Sequence, residues 1–198
     1  MQDLDLQRLD LVGHDGGNSS GDFIQSLNFT DIATCWDITA ACINKAQVHV
    51  FKALKIIIAR FPFIILGIDS DNGSEFINAH MLRYCIENKI TFTRSRAHKK
   101  NDSCFVEQKN YSVVRRNVGY QRYDTEEELS LLNELYIYLD HYTNYFQPVV
   151  KLQSKTRTGS KVTKKYDEAK TPFRRVLESK YIDDKIKEEL KVQYWIFW

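Results

Sequence analysis

The first part of the chain alternates between apolar and polar residues, which is the pattern of β-strands with one buried face. Three predicted strands follow one another, at residues 9–14, 22–30 and 33–43. The alternation is clear at 22–30, and 33–43 is rich in β-forming and small residues. A loop rich in Gly, Ser and Asn separates the first two segments at residues 14–21. Short strands in direct succession favour an antiparallel meander.

The spacing of apolar residues then changes to that of helices and buried strands. Residues 45–60 have a helical apolar face, with Asn44 and Gln47 placed as a capping box. A continuous apolar run at 63–68 predicts a strand buried on both faces, which ends at a polar turn. A helix at 74–88 and a strand at 90–94 follow, and the residues of that helix predicted to point inward are Phe76, Leu82, Cys85 and Ile86.

Two more helices complete this part of the chain. One begins at Asp102 or Ser103 and ends near residue 117. The other begins at a Thr125–Glu128 capping box, and its apolar face comprises Leu132, Leu135, Leu139, Tyr142 and Phe146. The order of elements predicts an α/β fold, a mixed five-stranded sheet flanked by helices, over residues 1–150. Residues 151–198 are predicted to be a basic C-terminal extension, flexible over 151–170 and with a short charged helix at 183–191.

Composition excludes several classes of protein. The start of the chain is polar, and the longest apolar stretch, at 56–68, is interrupted by Arg60, Pro62 and Gly67, so we expect no signal peptide, no membrane span and a cytoplasmic location. No Cys-x-x-Cys pair or His-Glu-x-x-His motif is present, which argues against a zinc site. We expect free thiols at Cys35, Cys42, Cys85 and Cys104.

Positive charge is concentrated in two segments. Residues 94–122 contain eight Lys/Arg and two acids, and residues 151–170 contain seven and two. Such runs are solvated surface or bind a polyanion. Because the first run surrounds the acidic residue Glu107, we favour the second interpretation, with contacts to the phosphates of a polyanion by Lys99, Lys100, Lys109, Arg115 and Arg116.

Three acids lie at positions that suit a metal site. Asp10 lies within the first strand, Asp71 just past the buried strand, and Glu107 in the first turns of a helix. Grouped carboxylates repel one another unless a cation joins them, and hard oxygen ligands suit Mg²⁺ or Mn²⁺. An EF-hand loop starting at Asp69 is excluded because Gly73 falls at its fifth rather than its sixth position.

Two other interpretations of these acids are open. A glycosyltransferase D-x-D motif at 69–71 would leave Glu107 unexplained. Glu107 alone is equally an ordinary residue at a helix N-terminus. We expect Asp69 to be a supporting residue rather than a ligand.

The acids and their flanking residues resemble a known superfamily. Between Asp71 and Glu107 lie 35 residues, similar to the D,D-35-E pattern of retroviral integrases and bacterial insertion-sequence transposases. Ser-Asp-Asn-Gly-Ser-Glu-Phe at 70–76, Asn-Asp-Ser-Cys-Phe-Val-Glu-Gln-Lys-Asn at 101–110 and Leu-Asp-Leu-Val at 9–12 resemble the segments around its three acids. The resemblance implies an RNase H-like fold whose Asp10, Asp71 and Glu107 bind two Mg²⁺ or Mn²⁺ ions.

The same resemblance implies an activity and partners. It implies a metal-dependent polynucleotidyl transferase, a transposase that cleaves DNA and transfers its strands. It further implies binding to element ends and target DNA, assembly into a homo-oligomer on DNA, and association with the bacterial nucleoid. A structure-specific nuclease on the same fold is an alternative.

Two departures from the superfamily pattern favour a further alternative. Met1 lies nine residues before Asp10, so the helix-turn-helix region that usually precedes the core is not part of this sequence. Cys104-Phe105 stands where small or polar residues, often Ala-His, are common. We therefore also consider a fragment, a product of a split gene, or an inactive transposase remnant that binds DNA or the full-length transposase.

Overall fold

The computed structural model describes residues 6–70, 79–94 and 109–196. Its centre is a five-stranded sheet in the order β3-β2-β1-β4-β5. The strands are β1 Gln7–Gly13, β2 Gln25–Asp31, β3 Asp37–Cys42, β4 Gly67–Ser70 and β5 Thr91–Arg94. The first three strands form an antiparallel meander, and β4 and β5 run parallel to β1. The predicted mixed five-stranded sheet is confirmed.

Helices flank the sheet. They are α1 Gln47–Arg60, α2 Ala79–Glu87, α3 Asn110–Arg115 with Arg116–Val118, α4 Glu126–His141, α5 Pro172–Glu178 and α6 Asp184–Ile196. The Asn110–Arg115 turn is π-helical, and α4 continues into a second π-helical turn at Tyr142–Phe146. The predicted capping box of α4 is confirmed, since Thr125 accepts from the Glu128 backbone and Glu128 accepts from the Thr125 backbone.

Apolar side chains cover both faces of the sheet because neighbouring strand residues point to opposite sides. On one face Leu27, Phe29 and Ile38 pack with Leu54 and Ile57 of α1. On the other face the buried residues come from β1, from the loop before β2, and from β3, α3 and α4: Val12, Ile24, Ala41, Val114, Leu132 and Tyr136. Burying a side chain such as Leu54 stabilises the fold by about 1.5–3 kcal/mol.

The start of α1 and the start of β4 differ from the sequence predictions. The N-cap of α1 is Ala46, which has no side-chain cap, whereas Asn44 accepts a hydrogen bond from the Ala46 backbone at 3.0 Å. The capping box at Asn44 is therefore wrong. The strand predicted at 63–68 begins only at Gly67, and Ile64 is 79% exposed. A continuous apolar run has no period, so its composition does not define where the strand begins.

The inward face of α2 was also predicted incorrectly in part. Met81 and Cys85 are buried, one helical turn apart, but Leu82 and Ile86 are exposed. The buried face of α2 is therefore shifted by one residue from the predicted face, and Cys85 belongs to both. Phe76, which was predicted to share this face, lies outside the described residues.

The outer edge of β3 is covered by side chains instead of a sixth strand. Asn144 accepts from the Asp37 backbone N–H at 2.9 Å and donates to the Asp37 carbonyl at 2.7 Å. Asn133 bonds the N–H and carbonyl of Ala41 in the same way. At the intervening residue, the Thr39 N–H donates to Asp140 and the Thr39 carbonyl accepts from Arg60. Free strand edges attract other strands, and these side chains satisfy that edge within the chain.

The C-terminal part differs from the predicted flexible extension. Residues 151–170 contain an antiparallel hairpin of β6 Leu152–Thr158 and β7 Lys161–Tyr166. Beyond it, Phe173 and Leu190 join the apolar core, and Tyr194 stacks on Phe173 with ring centroids 5.2 Å apart. The predicted charged helix is confirmed as α6, and it extends beyond residue 191. None of the helices in the described ranges has the length and apolarity required to cross a membrane.

Candidate active site

Asp10 lies in the middle of β1, which is the central strand of the sheet. Its side chain is half-buried, and each carboxylate oxygen has a hydrogen-bond donor. One oxygen accepts from the Leu11 backbone N–H at 2.8 Å. The other accepts from Asn110 Nδ2 of α3 at 2.6 Å. The carboxylate is therefore held in a fixed orientation between the sheet and α3.

The register between β1 and β4 relates two of the predicted ligands. The strands are parallel, and Leu9 of β1 pairs with Ser70, the last residue of β4. In sequence, Leu9 immediately precedes Asp10 and Ser70 immediately precedes Asp71. Asp71 itself lies outside the described residues.

The third predicted ligand, Glu107, also lies outside the described residues, but α3 begins close to it in sequence. Asn110 follows Glu107 by three residues and contacts Asp10. Asn110 belongs to the segment that resembles the motif around the third acid, but it was not among the residues predicted for the site. The signal in the sequence was its spacing from Glu107. In a helix, two side chains three residues apart lie on one face.

The oxygen atoms of Asp10 and Asn110 are of the kind that bind a hard cation. Carboxylate and amide oxygens are the ligands that Mg²⁺ and Mn²⁺ prefer. Besides the Asp10 carboxylate, the Oδ1 atom of Asn110 is buried and has no hydrogen-bond partner among the described residues. Within residues 6–70, 79–94 and 109–196 no group of three His, Cys, Asp or Glu side chains could hold a metal ion. Two of the three predicted ligands fall outside those ranges.

The residues predicted to contact DNA differ in their surroundings. Lys99 and Lys100 lie outside the described residues. Lys109 is only 8% exposed, and its charge counteracts the rise in the pKa of Asp37 that burial causes. Arg115 donates to the Gly13 carbonyl at 2.7 Å, whereas Arg116 is exposed.

Asp69, expected to support the site, binds its neighbouring strands. Its carboxylate accepts a hydrogen bond from the Thr93 hydroxyl of β5 at 2.8 Å and pairs with Arg8 of β1 at 3.5 Å. Both contacts are across the sheet, so Asp69 ties β4 to the strands on either side of it. This arrangement agrees with a supporting role.

A buried polar chain lies just beyond the end of β1. His14 Nε2 lies 2.7 Å from the Ser26 hydroxyl, which in turn lies 2.5 Å from the Tyr136 hydroxyl. Burial, assisted by the nearby charge of Arg115, lowers the pKa of His14 to about 4. His14 is therefore neutral at pH 7, and this chain of contacts joins the end of β1 to β2 and α4.

No model of a known protein family matches the sequence. The chain is 41% identical over 167 residues to an uncharacterized protein, y4rM, of Sinorhizobium fredii. That alignment covers 84% of this chain and 48% of the relative, so the chain spans about half the length of the curated relative it matches.

Similar solved structures include integrase catalytic cores. The BIV integrase catalytic core domain matches with a TM-score of 0.59 and 15% identity, over 90% of this chain and 97% of that domain. A simian T-cell lymphotropic virus intasome matches with a TM-score of 0.55 and 13% identity, over 74% of this chain and 50% of that chain. The HTLV-2 integrase catalytic core in complex with magnesium, in a dimeric form, matches with a TM-score of 0.54 and 12% identity, over 74% and 90%. The fold is therefore that of the integrase catalytic cores, an RNase H-like fold.

Proposed function

We propose that this chain is the catalytic core of a DNA transposase of the D,D-35-E superfamily and catalyses metal-dependent DNA cleavage and strand transfer. The observation that carries the proposal is the fixed Asp10 carboxylate on the central strand of an integrase-type fold. It lies one residue beyond the Leu9–Ser70 pair and is held by Asn110.

The contacts of Asp10 support convergence of the three acids. Asp71 follows Ser70, and parallel strands in register carry successive residues side by side. Glu107 precedes Asn110 by three residues in the sequence, and in a helix two residues with that spacing share a face. We therefore propose Asp10, Asp71 and Glu107 as the ligands and catalytic residues.

The proposed cofactor is a pair of Mg²⁺ or Mn²⁺ ions, which when bound would activate the attacking oxygen and stabilise the leaving oxygen of the phosphodiester. The chain's own contribution is to position the ligands. Asn110 orients the Asp10 carboxylate from the side of α3, and the Leu11 N–H fixes it from the backbone. Such fixed geometry lowers the barrier because little has to reorganise during the reaction.

The proposed substrates are the DNA ends of a mobile element and a target duplex. The exposed Arg116 of α3 provides positive charge for contacts to phosphates, and we keep Lys99 and Lys100 of the same basic run as proposed contacts. Lys109 and Arg115 of that run bind within the chain instead. Contacts to phosphates position DNA without reading its sequence. We propose that the chain assembles as a homo-oligomer on DNA, since strand transfer joins two element ends to one target.

The test is a strand-transfer assay with the full chain, Mg²⁺ or Mn²⁺, duplexes with recessed 3′-hydroxyl ends and a supercoiled target plasmid. A pool of end sequences replaces the unknown element ends, and sequencing of joined products identifies those used. We expect joined product that disappears with EDTA and in Asp10→Asn, Asp71→Asn and Glu107→Gln. The matched control is Glu127→Gln, since Glu127 is an exposed glutamate in the first turn of α4.

The alternatives give different products. Cleavage of branched DNA without joining would indicate a structure-specific nuclease. DNA binding without any reaction, unchanged by Glu107→Gln, would indicate an inactive remnant. Joining that survives all three acid substitutions would refute the assignment of the site.

A further inference from the structure

The hairpin β6–β7 projects from the protein without packing either of its faces. Every residue from Gln153 to Tyr166 is exposed. An isolated two-stranded hairpin is marginally stable in water, and sheets normally bury at least one face. The exposure of both faces therefore suggests that this element has a function other than building the core.

The charge of the hairpin is of one sign. Between residues 152 and 166 there are five cations and no acid: Lys155, Arg157, Lys161, Lys164 and Lys165. Lys155 pairs directly across from Lys164. Like charges directly opposite each other destabilise a strand pair, so this arrangement is costly unless an anion lies against it.

The two faces of the hairpin differ in chemistry. The register places Lys155, Arg157 and Lys164 on one face together with Val162. The opposite face presents hydroxyl groups alongside two lysines: Ser154, Thr156, Thr158, Thr163, Lys161 and Lys165. Cations and hydroxyl groups are the side chains that bind phosphate oxygens and base edges in DNA.

The base of the hairpin is clamped to the core. Lys151 Nζ donates to the backbone carbonyls of Ile32 and Ala33 at 2.7 and 2.8 Å. Asp167 accepts from the Lys151 N–H and pairs with Arg175 at 2.7 Å. The clamp fixes the direction in which the hairpin leaves the domain, so that a bound partner would be held in a defined position relative to the core.

The dimensions of the hairpin fit duplex DNA. Paired strands lie about 4.8 Å apart, and seven residues extend roughly 23 Å. The major groove of B-DNA is about 12 Å wide and admits a two-stranded β-ribbon, whereas the deep, narrow major groove of A-form RNA does not admit protein side chains. We propose that the hairpin β6–β7 is a DNA-binding arm that lies in the major groove of a duplex. This inference deepens the proposed function and rests on its DNA substrate.

The test compares two triple variants of the full chain. Lys155→Gln/Arg157→Gln/Lys164→Gln removes the charged face of the arm, and Lys180→Gln/Lys185→Gln/Lys191→Gln removes the same charge from exposed positions around α6. Binding to a 30-base-pair DNA duplex is measured by fluorescence anisotropy in EDTA over a range of salt concentrations. Circular dichroism checks that both variants are folded.

We expect the arm variant to bind duplex DNA at least about tenfold more weakly at 100 mM salt, and the slope of log K against log salt to fall by about 2 to 3. The control variant should bind like the wild type. Dimethyl sulfate footprinting should show protection of guanine N7, a major-groove atom, by the wild type and not by the arm variant.

Several results would overturn the inference: equal binding by both variants, absence of N7 protection, or equal affinity for double-stranded RNA of the same sequence. Because binding is measured in EDTA, it does not depend on catalysis. DNA binding that depends on the arm, without strand transfer, would refute the proposed reaction and support the inference about the arm. Strand transfer by an arm variant that binds DNA as well as the wild type would refute the DNA-binding arm and support the proposed reaction.

Discussion

Truncation of Asn144 offers a direct test of how the edge of the sheet is stabilised. Asn144 is 1% exposed and Asp37 is fully buried. In Asn144→Ala, the N–H and the carbonyl of Asp37 lose their bonds of 2.9 and 2.7 Å. A buried polar group left without a partner costs about 1–3 kcal/mol, so with two such groups we expect the free energy of unfolding to fall by about 2–6 kcal/mol.

Two comparison variants separate the hydrogen bonds from other effects. Asn144→Leu keeps most of the side-chain volume but leaves the same backbone groups unpaired, so we expect it to be at least as destabilised as Asn144→Ala. Asn88→Ala removes an exposed asparagine whose side chain bonds the Tyr84 carbonyl at 2.8 Å. Its effect should stay within about 0.5 kcal/mol, which is typical of exposed positions.

Urea unfolding, monitored by circular dichroism and by the fluorescence of the buried Trp36, measures these differences. The denaturant midpoint should shift while the m-value remains that of the wild type. If Asn144→Ala lies within about 0.5 kcal/mol of the wild type, the side-chain bonds to β3 contribute little. If Asn144→Leu restores stability, packing rather than hydrogen bonding holds the edge.

Two further predictions concern pH and the positive charge of α3. Folding lowers the pKa of His14 from 6.5 to about 4. Between these two values the unfolded state binds a proton that the folded state does not. We therefore expect the free energy of unfolding to decline by about 3 kcal/mol as the pH falls from 6.5 to 4. The free energy of unfolding of His14→Gln relative to the wild type should rise by that amount over the window, and a constant difference would refute the assignment. Arg115→Gln should lower the melting temperature, because it loses the bond to the Gly13 carbonyl and the stacking on Tyr120, whereas Arg116→Gln should leave stability unchanged and weaken DNA binding by a few fold. Equal melting temperatures for the two arginine variants would contradict this division of roles.

Short-range patterns were sufficient for much of the fold. The meander was predicted from the strand pattern around Asp10, α4 from the capping box at Thr125, and the mixed sheet from the order of the elements. All three are present. These features depend on residues a few positions apart, so their physical causes are contained in the local sequence. Where the local signal was ambiguous, as in the apolar run before β4 and on the face of α2, the predicted boundary or face was wrong.

For the candidate site, too, local motifs were predicted from the sequence, whereas a contact between distant residues was not. The spacing and flanking residues of Asp71 and Glu107 nominate them in the sequence, and both remain predictions because they lie outside the described residues. The contact between Asn110 and Asp10 joins residues 100 positions apart, and no local pattern encodes it. It arises because α3 packs across the sheet next to β1.

What the sequence by itself determined is the alternation of strands and helices, the positions of the acids and the concentration of positive charge. The tertiary structure decided which of those charges act on the core and which face solvent. Lys109 is buried and acts on Asp37, whereas the lysines of β6 and β7 form an exposed ribbon. The physical reason is that burial and pairing depend on distant parts of the chain: a basic run has the same composition whether it packs against a buried carboxylate or extends into solvent.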